Sequence, residues 1–186
     1  MPSSAHQTGE GKSRAGLLIV NTGDGKGKTT AAFGAAMRAA GHEQKVLVVQ
    51  FIKGPWVSGE VKAAGKLRPF LQVRCRGRGF VDPARGPTEE DRKAAGEELA
   101  QTAADMASGE YDLVVLDEIF AALEYGLVPL DGLVKALDSR RPGVNVILTG
   151  RNAPGRLLRM ADTVTEFVET RHPFKKGIAA RKGIEF

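Results

Sequence analysis

The sequence predicts an α/β domain in which a mostly parallel sheet carries helices on both faces. Short runs of Val, Ile and Leu recur along the chain, and segments with helical signals separate them. Strands that are buried on both faces appear as continuous apolar runs, and parallel strands need a crossover segment between them. A glycine-rich turn also lies between the first apolar run and an alanine-rich segment. Ligands in such sheets bind at the carboxyl ends of the strands, so the functional residues are expected there.

The same patterns predict where each element lies. Strands are expected at residues 17–21, 45–51, 70–75, 113–117, 144–149 and 163–168. Helices are expected at residues 28–40, 88–107, 129–137 and 154–160, the second of them with Thr88 as N-cap before an acidic first turn. Phe33 and Met37 have the spacing of neighbours on one helix face and are expected to pack in the core. The polar residues 1–15 predict a flexible N-terminal arm, and residues 16–186 predict a single folded domain.

Composition narrows the function classes. The 186 residues are 42% hydrophobic, enough for a sizeable core, and no apolar run approaches the roughly 20 residues that cross a bilayer. The first residues lack the apolar segment of a secretory signal. The single cysteine, Cys75, excludes an internal disulfide and a cysteine-based zinc cluster. We therefore expect a cytoplasmic protein with no membrane partner.

The net charge of +5 raises the question of a nucleic-acid partner. Basic residues gather in two clusters, which are Lys66, Arg68, Arg74, Arg76 and Arg78, and Arg171, Lys175, Lys176, Arg181 and Lys182. Neither cluster has the interleaved aromatics of a base-stacking surface, and aromatic residues make up only 6% of the chain. The pattern favours solvated surface or attraction for an anionic small molecule, so no stable nucleic-acid partner is expected.

The glycine-rich turn after the first strand is the most informative segment. Its residues are Thr22, Gly23, Asp24, Gly25, Lys26, Gly27, Lys28, Thr29 and Thr30. A strand, a glycine-rich loop and Lys-Thr at a helix start form the context of a phosphate-binding P-loop. The glycines allow backbone N–H groups to converge on phosphates, Lys28 would contact the phosphates, and the Thr29 hydroxyl would ligate Mg²⁺. Thr22 stands where the usual motif has its first glycine; a flexible turn is the alternative, but the flanking elements favour a nucleoside triphosphate site.

Two further strand ends carry residues suited to this chemistry. Asp117 and Glu118 follow a buried strand, as the acidic residues that hold or orient Mg²⁺ in P-loop proteins do. Alternatively, the Asp at this strand end caps the next helix. The sequence does not decide which of the two carboxylates would contact the ion. Arg151 follows another strand and could contact a phosphate or pair with a surface carboxylate. These residues predict a Mg²⁺-dependent P-loop protein, for which hydrolysis coupled to movement, phosphoryl transfer and alkyl transfer all remain possible.

Several segments together resemble the P-loop ATP:corrinoid adenosyltransferases of the CobA/CobO/BtuR type, whose fold is RecA-like. Besides the P-loop, with Thr22 in first place, the resemblance is carried by residues 49–54 (VQFIKG), 114–118 (VVLDE), 147–151 (ILTGR) and 161–166 (ADTVTE). The tail from His172-Pro173-Phe174 to Gly183-Ile184-Glu185 completes the set. The resemblance extends over nearly all of residues 16–186.

The resemblance implies an unusual reaction for a P-loop. A Co(I) corrinoid attacks the 5′ carbon of ATP, an adenosyl–cobalt bond forms, and inorganic triphosphate leaves. In this family ATP lies reversed in the loop, so that C5′ faces the corrinoid. The reaction belongs to the synthesis or salvage of adenosylcobalamin.

Site roles follow from the resemblance position by position. Residues 23–29 would bind the triphosphate, with Lys28 stabilising the charge that develops on it, and Thr29 with Glu118 would hold Mg²⁺ or Mn²⁺. Phe80 matches an aromatic that lies against the corrinoid and helps displace its lower ligand, but Asp82 stands where enterobacterial relatives have Trp. The resemblance also implies a homodimer, an N-terminal arm that reaches the partner subunit's site, and an electron donor such as a flavoprotein.

Three other functions fit part of the pattern. A P-loop kinase would phosphorylate an acceptor and leave ADP, although the thymidine kinases with a similar core carry a cysteine zinc site that one Cys cannot build. A RecA-like nucleic-acid-dependent ATPase would show strand-stimulated hydrolysis and a steep loss of affinity with salt. A regulatory nucleotide-binding protein would show no turnover.

Overall fold

A computed structural model describes residues 16–52, 58–75 and 86–184. The strands are β1 (Leu18–Thr22), β2 (Val46–Gln50), β3 (Leu71–Cys75), β4 (Leu113–Asp117), β5 (Asn145–Thr149) and β6 (Thr163–Glu166). The helices are α1 (Lys28–Gly41), α2 (Gly59–Gly65), α3 (Glu89–Ser108), α4 (Ile119–Glu124), α5 (Leu130–Asp138) and α6 (Gly155–Met160), and a 3₁₀ helix spans Pro173–Lys176.

The strands form one sheet in the order β3-β2-β4-β5-β1-β6, and every pair of neighbours is parallel. This confirms the predicted α/β fold. Parallel pairing also brings the carboxyl ends of β1, β2, β4 and β5 to the same edge of the sheet, as expected from the sequence.

Two hydrophobic clusters cover the two faces of the sheet. Alternate residues of the central strands point to opposite faces, so Val114 and Leu116 belong to one cluster and Leu113 and Val115 to the other. The first cluster contains side chains of α3, α4, α5 and α6, and the second contains those of α1 and α2. Helices on both faces were predicted, and the structure confirms them.

Helix α1 contacts the sheet through small side chains. Ala32 and Ala36 are fully buried, whereas Met37 is 60% exposed. Phe33 is partly buried against the second cluster. The prediction that Met37 packs in the core was therefore wrong, because the alanine face of the helix is the one that faces the sheet.

Helix α3 begins as the sequence predicts. The Asp91 N–H donates to Thr88 Oγ1 at 3.2 Å, and the Thr88 N–H donates to Asp91 Oδ2 at 3.0 Å, which is a capping box. Arg74 of β3 joins the sheet to this helix through ion pairs with Glu98 at 2.6 Å and Asp105 at 2.7 Å. Arg74 is thus engaged in structure and is not available as part of a basic surface.

The largest departures from the sequence prediction are the end of β6 and the segment after β4. Strand β6 ends at Glu166 instead of residue 168, because the Phe167 backbone turns back onto the glycine-rich loop. Helix α4, which was not predicted, follows Glu118, whose backbone is left-handed with φ of 57°. None of the helices in the described part of the chain has the length and apolar character needed to cross a bilayer.

Candidate functional site

The loop between β1 and α1 has the backbone that a P-loop needs. Gly23 and Gly27 have φ of 97° and 109°, the left-handed region that glycine adopts without strain. Gly27 is the N-cap of α1, and its carbonyl accepts the N–H of Ala31 at 2.7 Å. The N-terminus of a 14-residue helix therefore faces the loop and favours an anion there.

Phe167, directly after β6, packs against this loop and bonds to its backbone. Its carbonyl accepts the Gly25 N–H at 2.7 Å, and its N–H donates to the Thr22 carbonyl at 2.8 Å. A Cβ on Gly25 would lie 2.8 Å from the Phe167 carbonyl carbon, closer than real Cβ contacts allow. Phe167 lies 142 positions from Gly25, and no local sequence pattern could have identified this contact.

Thr22, the unusual first residue of the motif, ties the loop to the next strand end. Its Oγ1 accepts the Ala153 N–H at 3.2 Å. The same loop after β5 carries Arg151. The hydroxyl at this position thus links two segments of the site that a glycine would leave unconnected.

Lys28 lies under the loop with its ammonium group directed at the loop backbone. Nζ donates to the carbonyls of Gly23 at 2.6 Å and Gly25 at 2.8 Å, and the residue is 7% exposed. Burial lowers the pKa of Lys28 below its usual value; Glu118 and Asp24 raise it in part, and Arg151 lowers it further. The loop therefore holds a cation at its centre, as phosphate binding requires.

Asp117, the last residue of β4, lies beside the start of α1. It is 1% exposed and accepts hydrogen bonds from Thr29 Oγ1 at 2.8 Å, Thr149 Oγ1 at 2.8 Å and Gln50 Nε2 at 3.0 Å. A buried carboxylate needs such donors. The structure thus brings the two expected residues, Thr29 and Asp117, into direct contact, and adds Gln50 and Thr149 from neighbouring strands.

Glu118 is held by the same group of side chains. Its N–H donates to Thr149 Oγ1 at 2.9 Å. A left-handed backbone is uncommon for a residue with a side chain, and such strain persists where the surroundings fix it. Among the residues that the structure describes, no group of three or more His, Cys, Asp or Glu side chains is arranged to hold a metal by itself.

Arg151 lies at the open side of the loop. Its Nη1 is 3.8 Å from Asp24 Oδ1, and the two side chains are 62% and 77% exposed. They border a polar pocket of about 400 Å³, and its other lining residues are Glu166, Phe167, Val168, Glu169 and Lys175. Lys26 and Thr30 are exposed at the same end of the sheet. Phe80 and Asp82 lie outside the described residues, as does the predicted arm at residues 1–15.

The parallel sheet, the P-loop around Lys28 and the Thr29–Asp117 pair define a P-loop nucleotide-binding protein. The sequence matches the family "ATP:corrinoid adenosyltransferase BtuR/CobO/CobP" over residues 14–186. The chain therefore belongs to the ATP:corrinoid adenosyltransferase family, and it is an enzyme of that class, as the resemblance implied.

Individual relatives agree with the family assignment. The corrinoid adenosyltransferase of Escherichia coli K12 is 41% identical over 92% of this chain and 86% of its own length. That of Pseudomonas aeruginosa is 40% identical over 92% and 84%, and corrinoid adenosyltransferase CobA of Salmonella typhimurium is 41% identical over 92% and 86%. The flagellar accessory protein FlaH of Methanocaldococcus jannaschii aligns with a TM-score of 0.52 at 15% identity, over 82% of this chain and 71% of that one, a likeness of fold alone.

Proposed function

We propose that this site binds ATP through its triphosphate and transfers the 5′-deoxyadenosyl group to the cobalt of a Co(I) corrinoid, in the synthesis or salvage of adenosylcobalamin. The cobalt forms a bond to C5′, the bond from C5′ to the α-phosphate oxygen breaks, and inorganic triphosphate leaves. The observation that carries the proposal is the buried Lys28 ammonium at the centre of the loop in a chain of this family.

The chain's part in the reaction is electrostatic. As C5′ departs, negative charge grows on the α-phosphate oxygen, and the loop N–H groups, the α1 N-terminus and Lys28 are fixed in place to stabilise it. The cobalt is the nucleophile, so no protein side chain has to remove a proton. We assign Lys28 to catalysis on this basis and residues 23–30 to nucleotide binding, while Glu118 would act in catalysis through the metal that it holds.

We propose a Mg²⁺ or Mn²⁺ site at Thr29 and Glu118. Mg²⁺ prefers oxygen ligands and is usually held by few protein groups together with phosphate oxygens and water, and one hydroxyl and one carboxylate match that preference. The Thr29 hydroxyl donates its hydrogen bond to Asp117 Oδ1, so the lone pairs of Oγ1 are left for a metal. Asp117 would then act through Thr29 and not as a direct ligand. When bound, the ion would add positive charge beside the leaving triphosphate.

Arg151 is proposed as a phosphate ligand. Its exposed pairing with Asp24 at 3.8 Å is the kind of surface ion pair that contributes little to stability, so exchange for a phosphate oxygen costs little. Binding of the triphosphate would also offer the guanidinium two parallel hydrogen bonds.

The remaining assignments rest on the family. We propose that Phe80 contacts the corrinoid, that an electron donor such as a flavoprotein supplies Co(I), and that the chain acts as a cytoplasmic homodimer. Phe80→Ala is expected to lose more activity from Co(II) than from chemically reduced Co(I), and equal losses would contradict this role.

The activity is tested by an anaerobic assay with chemically reduced cobalamin, ATP and Mg²⁺. Growth of a light-sensitive adenosyl–cobalt absorption spectrum is the expected result. An unchanged spectrum with slow release of ADP and phosphate would contradict the proposal, and the kinase and nucleic-acid-dependent ATPase would then be tested by adding acceptors or single-stranded nucleic acid.

A further inference from the structure

A row of polar side chains crosses the sheet where the strands end. Cys75, Gln50, Asp117 and Thr149 are the last residues of β3, β2, β4 and β5. Gln50 is the register partner of both Cys75 and Asp117, and the Leu116–Leu148 pair places Asp117 beside Thr149. Because residues in register share a face, these four side chains lie on the face that α1 covers.

The hydrogen bonds along this row run in one direction. The Cys75 thiol donates to Gln50 Oε1 at 3.0 Å, and Gln50 Nε2 donates to Asp117 Oδ2 at 3.0 Å. Only the amide nitrogen of Gln50 can donate to a carboxylate, so its oxygen must face β3, where the thiol supplies a donor. Gln50 is 1% exposed, and this environment fixes its orientation.

We infer that Gln50 and Cys75 are positioning residues that hold the Asp117 carboxylate so that its other oxygen orients the Thr29 hydroxyl. Asp117 Oδ1 accepts from Thr29 and Thr149, while Gln50 donates to Oδ2. Without that donor the carboxylate can rotate about its last bond, and the direction of the Thr29 lone pairs is no longer fixed. The inference rests on the proposed metal site at Thr29.

Loss of these positioning residues is expected to weaken the effect of Mg²⁺ on ATP binding. Outer groups that orient metal ligands typically change metal affinity by about 10–100-fold when they are mutated. In Gln50→Leu, the factor by which Mg²⁺ tightens ATP binding is expected to fall about tenfold. ATP affinity without Mg²⁺ is expected to stay the same, because the loop and Lys28 are untouched.

Two substitutions of Cys75 test the same row of hydrogen bonds with smaller expected effects than Gln50→Leu. Cys75→Ala removes the donor to Gln50 and is expected to lower the Mg²⁺ effect about threefold, whereas Cys75→Ser keeps a donor and is expected to restore it. Gln72→Ala is the matched control, because Gln72 is on the same strand and accepts a hydrogen bond from Tyr111 at 3.3 Å, away from the site. This control is expected to leave the Mg²⁺ effect unchanged.

A readout without metal or nucleotide follows from the cysteine itself. Cys75 is the single cysteine of the chain, so its alkylation rate is measured without ambiguity. A hydrogen bond from the thiol favours the protonated form, so loss of the acceptor in Gln50→Leu is expected to speed alkylation about threefold. An unchanged rate would overturn the link between Cys75 and Gln50.

Calorimetric titration of ATP with and without Mg²⁺ decides the inference. A tenfold smaller Mg²⁺ effect in Gln50→Leu, with rescue in Cys75→Ser but not in Cys75→Ala, is the expected result. An equal Mg²⁺ effect in wild type, Gln50→Leu and Cys75→Ala would overturn it. If Mg²⁺ does not change the ATP affinity of the wild-type chain, that result would instead contradict the proposed metal site. If Gln50→Leu fails to fold, the two Cys75 variants decide alone.

Discussion

Lys28 carries a positive charge at a position where burial makes that charge costly. Its ammonium group is held by two loop carbonyls and lies close enough to Glu118 and Asp24 for both to raise its pKa, although burial prevails and the pKa is lowered. A buried cation without a fully compensating anion is well suited to bind one, because the ligand removes the unfavourable energy. The residue thus connects the stability of the empty loop with its affinity for triphosphate.

The Lys28→Ala variant is expected to lose at least about 100-fold in kcat/KM while keeping its fold, because removing one preorganised donor to a developing anion has effects of that size. Steady-state kinetics and circular dichroism check this. Lys45→Ala is the control, since Lys45 is exposed before β2 at the opposite end of the sheet. Near-normal turnover of a folded Lys28→Ala enzyme would contradict the P-loop assignment.

The lowered pKa of Lys28 makes stability depend on pH. The unfolded chain binds the proton more tightly than the folded chain, so the cost of the charge is present below the folded pKa and is relieved as pH rises towards 10.5. The free energy of unfolding of wild type relative to Lys28→Met is therefore expected to increase with pH in the alkaline range. Urea unfolding of both proteins between neutral and alkaline pH measures it, and a decrease would show that the pKa is raised.

At the scale of elements, the loop depends on contacts that come from β6. The backbone of Phe167 bonds to both Thr22 and Gly25, and its ring lies under Gly27. The end of β6, which is an edge strand with every residue exposed, is in this way part of the nucleotide site. The position of the loop backbone therefore depends on Phe167.

The Gly25→Ala substitution tests this support. The new Cβ would meet Phe167 backbone at 2.8 Å, so the free energy of unfolding is expected to fall by about 1–3 kcal/mol and ATP affinity to fall with it. Gly34→Ala in α1 is the matched control, because nothing lies within 4 Å of its Cβ position, and a gain of about 0.5–1 kcal/mol is expected. Chemical denaturation compares them, and equal stability of the two variants would contradict the account.

The elements that the sequence predicted are those with strong local signals. Runs that contain Val, Ile and Leu placed the six strands of the described residues, with ends within two residues, and Thr88 before an acidic first turn marked the start of α3. Helix α4 was not predicted, because its N-cap is a left-handed Glu118 without a side-chain cap. The end of β6 was misplaced because a contact with a loop far away in sequence, and not a local pattern, ends the strand.

In the whole molecule, the parallel sheet brings residues from distant segments of the chain together at one edge. Lys28, Thr29 and Asp117 were predicted from motif order, since all parallel strands end at one edge. The contacts of Asp117 with Gln50 and Thr149 were not predicted, because they join residues 67 and 32 positions apart and depend on strand order and register. Motif order thus predicted which residues lie at this edge of the sheet, while the side chains that hold Asp117 became visible only in the fold.

In the proposed reaction, the whole triphosphate of ATP is the leaving group. Chromatography of a quenched anaerobic reaction with Co(I) cobalamin, ATP and Mg²⁺ measures the phosphate products beside the adenosylated corrinoid. Equimolar inorganic triphosphate and adenosyl–cobalt product is the expected result. Formation of ADP and phosphate in place of triphosphate would contradict the account, even if the nucleotide binds at Lys28.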